Sequence, residues 1–143
     1  MYRHLLVSTD GSAKSAPAVR AGVRLAKALG ARLTAVHVLA PYIPAGEAAF
    51  VESLPGFQRA AQARGREALA AFNSEARKAG IEAEAISMVG GEPWKTLLQV
   101  ARLRKCDCIV MASHGRGGLA GLLLGSETQK VLTHSKIPVL IVR

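Results

Sequence analysis

The chain has 143 residues, half of them hydrophobic, 4% aromatic and 20% charged, with a formal net charge of +9. That length suits one domain, residues 1–143, with room for a core, and the core must be built from Ala, Val, Leu and Ile, which fits helices on a sheet better than an aromatic-rich sandwich. No apolar run approaches the ~20 residues of a bilayer span, and the opening MYRHLLVSTDGS turns polar after Leu5 to Val7, short of a secretory signal, so a cytoplasmic location is expected.

His4 to Thr9 (HLLVST) reads as a short buried strand, followed by an Asp10-Gly11-Ser12 turn. Val19, Val23, Leu25, Ala26 and Leu29 recur at helical spacing and predict a helix over Ala13 to Leu29. Pro17 fits its first turn and Gly30 its C-terminal cap. Arg32 to Leu39 (RLTAVHVL) is a second strand. Ala40 to Pro55 contains Pro41, Pro44, Gly46 and Pro55 and reads as a long connection or flap. Gly56 to Ala79 supplies a long helix closed by Gly80. Ile81 to Val89 alternates as an edge-like strand with Glu82 and Glu84 facing out. After the Gly90-Gly91 turn, Glu92-Pro93 opens a helix running to about Lys105. Cys108 to Ala112 is a fourth strand, Ser126 to Thr133 a helix, and Ile137 to Val142 a final strand.

Strands alternating with helices predict an α/β fold: a five-stranded parallel sheet with helices on both faces and right-handed crossovers. Ligands of such sheets bind at the C-terminal ends of the strands, near the point where strand order reverses. Two elements are expected to meet there, the Thr9-Asp10-Gly11 turn and the loop from Ser113 to Ser126.

That loop is the most specific feature of the chain. Ile109 to Thr128 reads IVMASHGRGGLAGLLLGSET: a strand, a glycine-rich loop, then a helix start at Gly125-Ser126. Glycines let backbone N–H groups approach a phosphate, and a helix N-terminus adds unpaired donors with partial positive charge. Arg116 can fork onto phosphate oxygens. A hydroxyl at Ser126 would cap the helix and could donate to an anion. The lysine-bearing phosphate loop G-x4-G-K-[ST] does not occur. No acid–base pair stands near the loop besides Asp10 and His114, so binding is expected rather than catalysis, with slow nucleotide turnover as the most that could occur.

The remaining features have plainer readings. Cys106 and Cys108 are spaced for one face of a strand and read as two small buried or half-buried thiols. Basic residues are scattered over three helices without aromatic interleaving, which reads as a solvated surface; nucleic-acid binding is the least favoured function. His37 reads as a satisfied core residue and His114 as a hydrogen-bonding spacer, while Trp94 and Met88 read as packing residues.

Taken in order, Ser8-Thr9-Asp10-Gly11-Ser12, His37-Val38, Ser113-His114-Gly115-Arg116-Gly117-Gly118, Leu122-Leu123-Leu124-Gly125-Ser126 and Pro138-Val139-Leu140-Ile141-Val142 resemble a single-domain universal stress protein over the whole chain. The resemblance implies a Rossmann-like three-layer sandwich of the adenine nucleotide alpha hydrolase kind. The nucleotide-binding branch of that family carries G-x2-G-x9-G-[ST], matched here by Gly115 and Gly125-Ser126, with Ala112 at the first glycine position. An alanine there adds a methyl where backbone approaches ligand and would make a positive φ costly. It is the feature favouring the alternative reading, a non-nucleotide interaction module of the same family.

The resemblance further implies an adenine nucleotide, ATP with Mg²⁺, as ligand. Asp10 would face the ribose or adenine. Val38 and Met111 would wall the adenine, with Val38 contributing backbone hydrogen bonds. Gly115, Arg116, Gly125, Ser126 and Glu127 would surround the phosphates, Glu127 through its backbone N–H only. Ser8, Thr9, Ala112 and Thr128 complete the implied nucleotide-binding set, which includes no catalytic residue and no protein metal ligand. The apolar last strand, with no helix after it, would leave an exposed edge in a monomer. Together with the resemblance, this predicts a homodimer paired through Ile137 to Val142.

Overall fold

The computed structural model describes residues 1–41, 47–114 and 124–143, and over 47–54 the helical backbone alone. In chain order these form β1 (His4–Ser8), α1 (Ala16–Leu29), β2 (Arg32–Leu39), α2 (Glu47–Ala79), β3 (Ala83–Val89), α3 (Pro93–Leu103), β4 (Cys108–Ala112), α4 (Ser126–His134) and β5 (Val139–Val142). All four strand pairings are parallel, in the order β3-β2-β1-β4-β5. The expected five-stranded parallel α/β sheet is therefore present. Strand order reverses between β1 and β4, whose C-terminal ends carry Ser8 and Ala112.

Alternation along the strands builds two cores. Leu5, Val7, Leu33, Ala35, Cys108 and Val110 pack with Val19, Val23, Leu69 and Phe72 of α1 and α2. On the other face Leu6, Val36, Ile109 and Met111 pack with Leu97 and Val100 of α3 and Val131 of α4. Both faces of β1 and β4 are thus covered, which is why those strands read as continuous apolar runs rather than as alternating ones. β3 is an edge strand, as its pattern implied, and Glu84 on it pairs with Arg104 at 2.7 Å.

Three local expectations need correcting. The first helix starts at Ala16 rather than Ala13, because residues 12–15 form a separate turn closed by Ser15 N–H and Ala16 N–H on the Ser12 carbonyl. Most of the 40–55 segment is not a connection: α2 begins at Glu47 and runs through Pro55, while residues 42–46 lie outside the described residues. Proline lacks the N–H for the i→i−4 bond, so it read as a boundary, yet the helix continues past it with one such bond missing. The two cysteines are buried, as expected, but do not share a face. Cys108 belongs to the α1/α2 core and Cys106 to the α3/α4 core. Cys106 precedes β4, in a turn whose N–H bonds the Ala101 carbonyl, so strand alternation does not apply to it.

Candidate functional site

A cleft of about 350 Å³ opens at the C-terminal ends of the strands, where β1 and β4 diverge. Ser8, Thr9 and Asp10 reach it from β1, Val38 from β2, and Met111 and Ala112 from β4. Gly125, Ser126, Glu127 and Thr128 reach it from the start of α4. Every described residue of the set named from sequence therefore lines one cavity, although the set is scattered from Ser8 to Thr128. Gly115 and Arg116 lie outside the described residues.

Short bonds hold the β1 end in shape. Ser12 N–H donates to Asp10 Oδ1 at 2.9 Å, an Asx turn, and Gly11 N–H donates to Thr9 Oγ1 at 3.1 Å. Thr9 Oγ1 also meets Ser15 Oγ at 3.0 Å, and Thr9 N–H extends the sheet to the Val36 carbonyl. His37 Nδ1–H donates to the Thr9 carbonyl at 3.2 Å, tying the end of β2 to the same turn.

The α4 end presents donors. The first bond inside that helix is Gln129 N–H to the Gly125 carbonyl, so the N–H groups of Ser126, Glu127 and Thr128 have no acceptor within the helix. The helix cap is Gly125 and not Ser126, which occupies the first helical position; no side chain caps the helix. Gly125 N–H bonds the Ser113 carbonyl at 2.8 Å, and a Cβ added at Gly125 would lie 3.3 Å from that oxygen, so glycine lets the two segments close up. Thr128 Oγ1 donates to the Ala112 carbonyl at 3.1 Å and fixes the helix start to the end of β4. The Glu127 carboxylate is turned to α3, accepting from Trp94 N–H at 2.9 Å and from Lys130 at 3.2 Å. This leaves its backbone N–H among the unpaired donors of the first turn.

Ala112 does not carry the strain expected of it. It is the last residue of β4, in register with Val142, and its φ is not positive. It packs against the α1/α2 core, on the same strand face as Cys108 and Val110.

Sequence reasoning passed over Ser15, Pro93 and Leu97, and read His114 as a spacer only; all four line the cleft. His114 Nδ1 does pair with Ser113 Oγ at 3.1 Å. Ser15 was findable, since Pro17 in the first helical turn puts the cap one or two residues before it. Pro93 and Leu97 were not, because they enter through α3, whose place over the cleft is a matter of packing. Pro93, Leu97, Val38 and Met111 add an apolar wall to the cleft that the α4 donors also line. Among the described residues no group of three or more His, Cys, Asp or Glu is placed to hold a metal ion. No described helix is long and apolar enough to cross a membrane.

Comparison with known proteins gives consistent results. The model of the Universal stress protein family matches residues 1–143. A universal stress protein of Thermus aquaticus is 35% identical over 145 residues, covering all of both chains. The crystal structure of a universal stress protein in complex with cAMP superimposes with a TM-score of 0.71 at 31% identity, covering 99% of this chain and 97% of the other. A universal stress protein from Lactobacillus plantarum reaches a TM-score of 0.82 at 22% identity, with 99% and 98% covered, a likeness of fold.

Proposed function

This chain belongs to the universal stress protein family, and on that footing we propose that its strand-end cleft holds an adenine nucleotide, ATP with Mg²⁺, in a homodimeric, cytoplasmic stress-response protein that binds and senses rather than catalyses. One observation carries the reading: residues from four separate elements, Ser8 to Asp10, Val38, Met111 to Ala112 and Gly125 to Thr128, converge on a single cavity of about 350 Å³. That is within the range of small-molecule sites. Its apolar wall suits a flat base, and the unpaired N–H groups of the first turn of α4 suit phosphate oxygens. The cAMP complex of a relative at 31% identity supports an adenine nucleotide as the ligand class.

The parts fit a holding role. Asp10 Oδ1 accepts from Ser12 N–H and His114 Nδ1 pairs with Ser113 Oγ, so both side chains brace the loops that carry them. With no three-ligand group among the described residues, Mg²⁺ would stay on the phosphate oxygens, as this hard ion usually does. Ala112 is the feature that favours the interaction-module reading, and its extended backbone and core-facing packing reduce its weight.

A thermal-shift titration with ATP and Mg²⁺ tests the reading, run beside Arg116→Ala and Ser126→Ala. At ~100 times the dissociation constant, binding adds roughly 2.7 kcal/mol of stability. The expected result is a saturable rise in melting temperature that weakens in both variants. No shift at millimolar ATP would leave the cleft structural and give preference to the interaction module.

A further inference from the structure

The strand-end cleft offers an anion hydrogen-bond donors but little positive charge. Among its described lining residues there is no Lys or Arg, whereas two carboxylates are present, Asp10 at the β1 end and Glu127 in the first turn of α4. Glu127 stands among the N–H groups of Ser126, Glu127 and Thr128, which have no acceptor within the helix. A carboxylate in a first helical turn is favoured by the helix dipole, as a phosphate there would be. The side chain is short, so its charge stays within about 8 Å, one Debye length at physiological salt, of any anion held on its own N–H.

Two contacts hold that charge in place. Oε2 accepts from Trp94 N–H at 2.9 Å and Oε1 from Lys130 Nζ at 3.2 Å. The Trp94 bond is neutral on the donor side and cancels no charge. Lys130 is not among the lining residues, and its pair with Glu127 is exposed, where an ion pair is worth little. Repulsion from the carboxylate grows with the negative charge of the bound phosphate, while the N–H donors on offer stay the same three.

We infer that Glu127 is a specificity-determining residue that ranks adenine nucleotides by their phosphate charge, an inference that rests on the cleft being the nucleotide site. Its carboxylate penalises a cyclic monophosphate least, because that diester carries a single negative charge. It penalises a metal-free triphosphate most. ATP is admitted as its Mg²⁺ complex, in which the ion offsets part of the phosphate charge.

Calorimetric titration of the full chain with cAMP and with ATP, the latter in EDTA or in Mg²⁺, tests it in the wild type, Glu127→Gln and Glu127→Asp. Glutamine keeps an oxygen for Trp94 N–H and removes the charge; aspartate keeps the charge. The readout is the ratio of the dissociation constant of metal-free ATP to that of cAMP, which any general loss of folding or affinity leaves alone. In Glu127→Gln this ratio should fall roughly tenfold, the effect of the extra phosphate charges at such a distance. The gain that Mg²⁺ brings to ATP should shrink in the same variant. Glu127→Asp should keep the wild-type ratio. An unchanged ratio in Glu127→Gln, with both ligands still bound, overturns the inference and leaves the nucleotide site standing, with Glu127 a structural cap only. An equal fall in Glu127→Asp overturns it as well, since the bond and not the charge would then matter. Wild type that binds neither cAMP nor ATP overturns the nucleotide reading itself, and this inference with it.

Discussion

At Gly11 the backbone has φ +75°, and a Cβ there would sit 2.5 Å from Ala68 Cα, so the turn that carries Asp10 into the cleft can pass α2 only as glycine. His4 is another residue whose setting decides its chemistry. It is buried at the start of β1, with Nε2 2.8 Å from Thr34 Oγ1. Burial, helped by the Arg32 charge, lowers its pKa below the ordinary 6.5. The unfolded chain therefore binds this proton more readily than the folded one. That contribution to stability is full above the unfolded pKa and is lost as pH falls through 6.5 toward the lowered folded value. Melting temperature should drop between neutral and mildly acid pH, and a His4→Gln variant should show a shallower slope over that interval. Equal slopes would mean that His4 is not the group responsible. Burial acts on Cys106 in the opposite sense, pushing its thiol up to about 11, which makes it an inert core residue rather than a reactive one.

Elements meet in this molecule through contacts between helix starts. Pro93 and Trp94 open α3, and the N–H of Trp94 is satisfied by the Glu127 carboxylate from the first turn of α4. Glu92, the residue at the cap position of α3, makes no side-chain cap bond, so Glu127 does that work from another helix. Removing it in Glu127→Ala should cost about 1 kcal/mol, the usual size of a lost cap, and lower the melting temperature by about 3 °C. Glu127→Gln keeps an oxygen for the bond and should lose less; equal losses would show that the hydrogen bond is not what matters. α2 illustrates where local signals mislead. Its line of Ala68, Leu69, Phe72 and Ala76 is buried, and contacts of that kind, summed along a helix, outweigh a proline near its beginning. The turn after α3 is similar: Lys105 takes φ 54°, and this turn directs Cys106 to the α3/α4 core before β4 starts.

For the molecule as a whole, the open question raised by the sheet is its β5 edge. β5 pairs with β4 on one side only, and Leu140 on it is 42% exposed. An apolar edge of this kind invites pairing, and pairing with its own copy across a two-fold axis closes it. Sedimentation velocity at micromolar concentration should give a dimer, and a monomer there would remove β5 from consideration as an interface. The β3 edge is managed differently, with Glu84 held outward by Arg104. The basic surface, +9 over the chain, adds long-range attraction for anions without marking a particular site.

Much of this was legible in the chain itself. Apolar periodicity, Gly30 and Gly80 at helix ends, and the Gly125-Ser126 helix start are local signals, and local chemistry is enough to read them. The convergence of Ser8 to Asp10 with Gly125 to Thr128 was legible for a related reason: a parallel sheet puts the C-terminal ends of its strands on one side whatever the side chains are. What no local pattern carries is which surfaces touch. The order β3-β2-β1-β4-β5, the entry of Pro93 and Leu97 into the cleft, the split of Cys106 and Cys108 between two cores, and the bond from Trp94 to Glu127 all depend on how separate elements pack. So does the burial of His37, whose Nε2 is enclosed with no partner among the described residues. Contacts between residues distant in the chain are set by the burial they jointly achieve, and that sum is defined only once the whole chain has folded.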